Sequence, residues 1–468
     1  MRTWIEIVIA VLFLSSLSWG GDLLEAQRVY PHSKEQALPH PPVRELPHDL
    51  DSVDSKRVRV PFSATFWADP SIQGQLDRLT NSVLTRNEEV RLYQNSTTLA
   101  PLIQMVERAE RFIYIEALAV DCDDSTHELM EALRKKASSG KDVRLIVNRW
   151  FSWLSLSCLN DLKKAGIQVT TGQIHSSYIV TDRRELLIGA QSLARFFFKS
   201  DGFNALDRDS MLYVRGAVAT DALEDFLAGW AVNRMHNQKD AASGIEAAKK
   251  AHAEERVAGT RDFRWTGKEK PRALCRFVGQ APQGDNRALQ SLLEALISQS
   301  QRQIFGSGVK IGGKDVPLVR RLIDRSNAGV RVDFLGNGWG GGNGELTMAF
   351  DEWIERARRH GLSWIARLLG KARGWDQRHQ MEKHFASFRE ILSGSKMTVW
   401  THFGFVHLKS WSFDKYGVFV GSANPTSDAF DSFFEAGVLC MDESLAQDFE
   451  KETLRDLVNS VPWTKETL

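Results

Sequence analysis

The chain has 468 residues, 43% of them hydrophobic, with 60 basic side chains set against 59 acidic ones. That length exceeds one ordinary domain and accommodates two, each with a sizeable core. The near-zero net charge excludes a global field that gathers nucleic acid or anionic membrane, so any attraction for anions is local.

The N-terminal run MRTWIEIVIAVLFLSSLSWGGD joins Arg2, an apolar stretch from Ile7 to Leu14, and the small-x-small triplet Ser18-Trp19-Gly20. Residues 1–20 therefore read as a secretory signal peptide, with the body exported to a periplasm, cell envelope or medium. A retained anchor is the rival reading, but the stretch is short for a span and Glu6 interrupts its start. Residues 21–87 read as a proline-rich extension, since six of the 13 prolines fall between positions 22 and 62. His32, His40 and His48 are spaced too widely there for a metal site and read as solvated.

From residue 88 an α/β rhythm begins. RFIYIEALAV (111–120) is a buried strand, 128–140 an amphipathic helix stopped by Gly140, 143–150 a strand, and 158–167 a second helix with a glycine stop. Residues 235–272 are charged and alanine-rich, a linker. The rhythm then returns over 273–468, with a strand at 303–311, a helix at 317–329 and a strand at 330–338. GKDVRLIVNRW (140–150) is answered by GVRVDFLGNGW (329–339), so a whole lobe is repeated, 88–234 and 273–468. The second copy carries an insertion at 339–395. Cys122, Cys158, Cys275 and Cys440 show no metal spacing; three disulfide connectivities and free thiols all remain open.

The chemistry-bearing stretch is HLKSWSFD (407–414), followed by GSAN. Residues two apart on a strand share a face, so His407 and Lys409 project together, an arrangement suited to a phosphate. The first lobe holds a counterpart, HSSYIVTD (175–182). His175 and Asp182 repeat the seven-residue spacing of His407 and Asp414, and Gly189 follows Asp182 as Gly421 follows Asp414. Two histidines at equivalent positions of two lobes predict one site on a pseudo-twofold axis.

These motifs resemble the signature of the phospholipase D superfamily, HxKxxxxD followed by a GSxN-type segment, once per lobe. The layout is most similar to bacterial cardiolipin synthase and phospholipase D proteins. The resemblance implies two repeated α/β/α lobes with the active site at their interface. It also implies that His175 is the nucleophile, His407 the acid/base, and that Asp209 and Glu435 are acidic partners of the histidines. Lys409, Ser422 and Asn424 would hold the non-bridging oxygens, and Asp182, Asp414, Gly189 and Gly421 would be structural. The first copy departs from the pattern, with Ser177 at the lysine position and Ser192 at the asparagine position. Ser177 and Ser192 are expected at the substrate, with Arg195 or Lys199 as candidates for the missing charge, against a reading of both as solvated loop cations.

Two facing histidines split phosphodiester cleavage into two displacements through a phosphohistidine, without metal or cofactor. A lipid substrate and a membrane surface are expected from RFFFK (195–199), RWFSWL (149–154) and a helical face of Trp364, Ile365, Leu368 and Leu369. Arg356, Arg358, Arg359, Arg367, Lys371 and Arg373 surround that face, with Glu355 the one acid in 353–375. A nuclease of the same superfamily is the alternative enzyme, and a catalytically inactive phospholipid-binding protein the alternative outside enzymes. No obligate protein partner is predicted.

Overall fold

The computed structural model describes residues 69–149, 151, 155–198, 208–234, 273–282, 287–337, 354, 358, 361 and 363–467. The signal peptide, most of the proline-rich extension, the 235–272 linker, Trp150, Ser152 to Leu154, Lys199, and most of the insertion before residue 361 lie outside the described residues, as do the side chains of Arg195, Phe196 and Ile365.

The first lobe contributes strands β1 (Thr85–Gln94), β2 (Phe112–Ala117), β3 (Asp142–Asn148), β4 (Gln168–Gly172), β5 (Ser177–Thr181), β6 (Glu185–Gly189) and β7 (Ser210–Gly216). The second contributes β8 (Leu274–Gln280), β9 (Gln303–Ser307), β10 (Arg331–Asn337), β11 (Thr398–His402), β12 (Ser410–Phe413), β13 (Gly417–Gly421), β14 (Glu435–Met441) and β15 (Ser460–Trp463). They form one mixed sheet in the order β15-β11-β10-β9-β12-β13-β14-β8-β1-β7-β6-β5-β2-β3-β4. Read outward from the β8–β1 junction, each lobe repeats the same order, and β15 is an extra edge strand. This is the two-lobed α/β repeat expected from the sequence.

β2, β3 and β4 pair in parallel, as do β9, β10 and β11. Parallel neighbours need crossover helices, here His127–Ser138 and Leu156–Lys164 in the first lobe and Pro317–Asn327 in the second. Their inward residues, such as Leu129, Leu133, Leu318 and Leu322, are buried against strand residues such as Ile115 and Phe334. Gly166 and Gly329, at φ +90° and +95°, end two of these helices in the left-handed conformation that glycine adopts without strain.

The extension is shorter than its composition suggests. Pro70–Thr80 is a helix capped by Asp69, whose side chain accepts from the Ser71 amide at 2.7 Å. Its Ile72 and Leu76, four apart and so on one face, join the core of the second lobe. The fully buried Arg276 of β8 holds this helix, donating to Gln73 at 3.1 Å and the Ser82 carbonyl at 2.5 Å, and pairing with Asp77. Residues 70–87 thus belong to the folded body, where the sequence reading placed them in a linker.

All four cysteines pair. Cys275 and Cys440 face each other on adjacent strands β8 and β14, and Cys122 joins Cys158 on the helix Leu156–Lys164. Among the described residues no helix is long and apolar enough to cross a membrane.

Candidate active site

Each motif is built on a hairpin. β5 and β6 meet at Asp182 and Arg183, and β12 and β13 at Asp414 and Lys415; all four have φ between 50° and 60°. Aspartate tolerates that region better than most residues and brings a carboxylate to it. Asp182 accepts from the amides of Glu110, Arg111 and Phe112 at 2.6–3.0 Å, and Asp414 from those of Gln301, Arg302 and Gln303 at 2.7–3.1 Å. Each aspartate clamps the hairpin to the start of the neighbouring strand, β2 or β9. At the far end of each hairpin a Cβ on Gly189 would lie 2.2 Å from the Ser210 carbonyl oxygen, and one on Gly421 2.7 Å from that of Ala436. No side chain fits there, and the chain passes directly into the GAQS and GSAN turns.

The histidines are tied across the seam. Ile174 bridges Phe434 and Val406 bridges Arg208, so the segment entering each histidine runs beside the segment entering the other lobe's acid. His175 Nδ1 lies 2.7 Å from Glu435 of the second lobe, and His407 Nδ1 lies 2.9 Å from Asp209 of the first. Each carboxylate therefore fixes a tautomer in the opposite lobe, holding the proton on Nδ1 and leaving Nε2 for chemistry. Nearby, Ser210 and Ser410 hydroxyls meet across the seam at 2.9 Å. Both imidazoles belong to one interface.

The rest of the set divides unevenly. Lys409, only 1% exposed, places Nζ 2.6 Å from His407 Nε2. Asn424 Oδ1 accepts from the Val309 amide at 3.0 Å, a bond that uses the oxygen alone. Ser422 donates to Glu435 and accepts from the Ala436 amide at 3.1 Å, so it braces the carboxylate behind His175 and is not aimed at a phosphate oxygen. Ser177 and Ser192 bring their buried hydroxyls 3.5 Å apart. Arg195 begins the short helix Arg195–Phe198; its side chain lies outside the described residues.

Several neighbours escaped the sequence reading. Phe197 and Phe405 pack on the His407 ring, with centroids 5.1 and 5.7 Å away, and Phe433 on the His175 ring at 5.5 Å. Phe197 and Phe198 are thus buried in the body, where RFFFK was expected to reach lipid. Arg208 donates to Gln94 at 2.5 Å and pairs with Glu452 at 3.1 Å and with Asp456, anchoring the strand that carries Asp209. The sequence signal was there in Asp207-Arg208-Asp209, a cation between acids, but its partners lie more than a hundred residues away. Behind the first motif, Ser176 donates to the buried Glu116, and Tyr178 donates to the half-buried Asp225 at 3.1 Å. Burial, reinforced by the charge of Asp225, pushes the Glu116 carboxyl up to about 8.

With this fold and paired site in view, the comparisons with known proteins agree. The family described as cardiolipin synthase, PLD-like domain, matches residues 102–224 and 293–457, and the chain belongs to this family of the phospholipase D superfamily. The cardiolipin synthase of Clostridium perfringens strain 13 is 19% identical over 395 residues, covering 81% of this chain and 72% of that protein. The cardiolipin synthase of Halalkalibacterium halodurans is 28% identical over 170 residues, so the match spans 33% of this chain and only 34% of that relative's length. Among solved structures, the phosphatidylserine synthase of Haemophilus influenzae Rd KW20 superposes with a TM-score of 0.56 at 15% identity, over 86% of this chain and 92% of that one, a likeness of fold.

Proposed function

We infer that this chain is an exported phosphodiester-transfer enzyme acting on phospholipids, a phosphatidyltransferase or phospholipase D working through a phosphohistidine. One observation carries the reading: two buried imidazoles at one seam, each oriented through Nδ1 by a carboxylate of the opposite lobe, with the Lys409 ammonium beside one of them. A neutral imidazole displaces the first alcohol of a diester, and its protonated partner supplies that alcohol with a proton. Lys409, joined by the amide of Asn424, suits the non-bridging oxygens.

Phospholipid as substrate is supported by the cardiolipin synthase relatives and by the helix Ser363–Ser393. Trp364 and Leu368 are 58% and 42% exposed, and with exposed Arg367 and Lys371 they occupy positions i, i+3, i+4 and i+7, one face. An apolar and cationic stripe of that kind suits an anionic bilayer surface. Leu369, 3% exposed, turns inward, so the apolar face expected from the sequence divides between core and surface. Export is supported by the N-terminal run and by the two disulfides, which persist in oxidising compartments.

The purified chain incubated with phosphatidylglycerol vesicles is expected to yield a new phosphatidyl product or free head group, and with single-stranded DNA to yield no fragments. DNA cleavage without lipid turnover would replace this reading with a nuclease. Ser177 favours one second reading, a lipid-binding protein without turnover. Vesicle binding without turnover of any diester, together with a gain of activity in Ser177→Lys, would establish it.

A further inference from the structure

The repeated phrases GKDVRLIVNRW and GVRVDFLGNGW put an asparagine at the same place, Asn148 and Asn337. Each is buried and is the last residue of a parallel strand, β3 or β10. Its ladder partner is the last residue of the next strand, Gly172 of β4 or His402 of β11. From there the chain crosses back over the strand ends to begin β5 or β12 on the far side of β2 or β9. His175 and His407 lie on these crossings, ahead of Ser177–Thr181 and Ser410–Phe413 and outside the strand ladders. Their backbone is therefore fixed by other bonds.

Those bonds come in the same set twice. In the peptide group entering His175, the Ile174 carbonyl accepts from Asn148 Nδ2 at 2.7 Å, and the His175 N–H donates to the Phe434 carbonyl of the second lobe at 3.0 Å. In the peptide group entering His407, the Val406 carbonyl accepts from Asn337 Nδ2 at 3.2 Å, and the His407 N–H donates to the Arg208 carbonyl of the first lobe at 2.7 Å. Each peptide plane is held at one end by an asparagine of its own lobe and at the other by the opposite lobe. That plane sets where the side chain departs, and with it the contacts of Nδ1 with Glu435 and Asp209. Asn337 does more. Its Oδ1 accepts from the Val406 amide at 2.6 Å, and its Nδ2 also donates to the Val309 carbonyl at 3.0 Å. The Val309 amide in turn donates to Asn424 at 3.0 Å, so one side chain ties the approach to His407 to the GSAN turn.

We propose that Asn148 and Asn337 are positioning residues for the reaction: each orients the peptide group ahead of its lobe's histidine and so aims that imidazole at the shared phosphorus. The proposal rests on the two-histidine reading above. Each asparagine acts through a histidine and takes no part in the bond changes. A side-chain amide suits the place because one short group offers both a donor and an acceptor, whereas an aspartate would set a carboxylate against the carbonyl of Ile174 or Val406. Attack geometry is exacting, and a displacement of about 1 Å costs about 10²-fold in rate.

Asn148→Ala and Asn337→Ala, assayed on phosphatidylglycerol vesicles, are each expected to lower kcat by about 10–10²-fold, with KM within about threefold of wild type. Asn148→Asp keeps the size of the side chain and loses the donor to Ile174 until its carboxyl takes up a proton. Burial lifts such a carboxyl, so its kcat relative to wild type is expected to rise as pH falls from about 8 to about 5. The same ratio stays flat for Asn148→Ala. Melting curves give the folded fraction of every variant, and kcat is taken per folded molecule. Variants that do not fold, or that melt lower and keep wild-type kcat, overturn the proposal, because the asparagines then serve stability alone. A rise in KM with kcat unchanged, or a flat ratio for Asn148→Asp, overturns it as well. Absence of diester turnover in the wild type, or turnover retained by both His175→Ala and His407→Ala, overturns the two-histidine reading and this proposal with it.

Discussion

The second lobe carries His407, Lys409 and Asn424 in its motif, and the first has His175, Ser177 and Ser192 at the equivalent motif positions. The hairpin clamps align Phe112 of β2 with Gln303 of β9, so Glu116 stands where the second lobe has Ser307. The Ser307 hydroxyl donates to the Ser410 carbonyl at 3.0 Å, a neutral bond, whereas Glu116 brings a buried carboxyl against Ser176. Among the described residues, a lysine stands in one half and a buried carboxyl in the other, on a backbone that is nearly the same twice. The order of strands has been kept between the lobes while the side chains behind the two motifs have diverged.

The largest effects should come from the rings themselves. His407→Ala and His175→Ala are each expected to lower turnover of a natural alkyl diester by at least about 10⁴-fold. Near-wild-type turnover in either variant would mean that its lobe is structural, and the comparison would collapse to one working half.

Glu435→Gln and Asp209→Asn should each cost about 10²–10⁴-fold, because an amide stabilises the wrong tautomer. The cross-lobe pairing makes the outcome specific. Glu435→Gln should resemble loss of His175, and Asp209→Asn loss of His407, when both are assayed with alkyl and nitrophenyl diesters. The opposite pattern would show that each acid serves its own lobe.

Lys409→Ala is expected to reduce kcat by about 10²–10³-fold, the usual cost of a preorganised donor to a developing charge. Ser177→Ala should stay within about tenfold of wild type, since no charge is lost. Equal losses at the two positions would remove the asymmetry from the chemistry and leave it to packing.

The smallest effect concerns stability. Glu116 in the folded chain titrates near 8, above its ordinary range, so the folded state holds a proton that the unfolded chain has released. Its contribution is present below the ordinary carboxylate pKa and is lost as pH rises towards 8. Glu116→Gln removes that titration and keeps an acceptor for Ser176. Its Tm should exceed that of wild type by at least about 2 °C at pH 8, with a smaller difference at pH 5. An equal shift at both values would show that Glu116 does not titrate in this window.

Much of this was legible in the residues. The seven-residue spacings picked out both motifs with their aspartate and glycine positions, because a strand's period is short and local; that each motif is a hairpin came from the structure. The repeat of helix and strand gave the two lobes for the same reason. The helix Pro70–Thr80 was obscured by the proline-rich segment before it, and its place in the second lobe depends on Arg276, some two hundred residues away. The Phe run in 195–199 looked like a surface feature because nothing local indicates that Phe197 lies on the ring of His407.

By itself the sequence determined the doubled motif, the lobe repeat and the residue types available for chemistry, since these follow from backbone period and side-chain identity along one stretch of chain. Tertiary structure alone decided that Glu435 serves His175 and Asp209 serves His407, that Ser422 braces a carboxylate, and that Lys409 sits on an imidazole nitrogen. Hydrogen bonds are short and directional, so a partner is chosen by ångströms in space. Between His175 and Glu435 lie 260 residues of chain, and no spacing along it encodes the 2.7 Å that joins them.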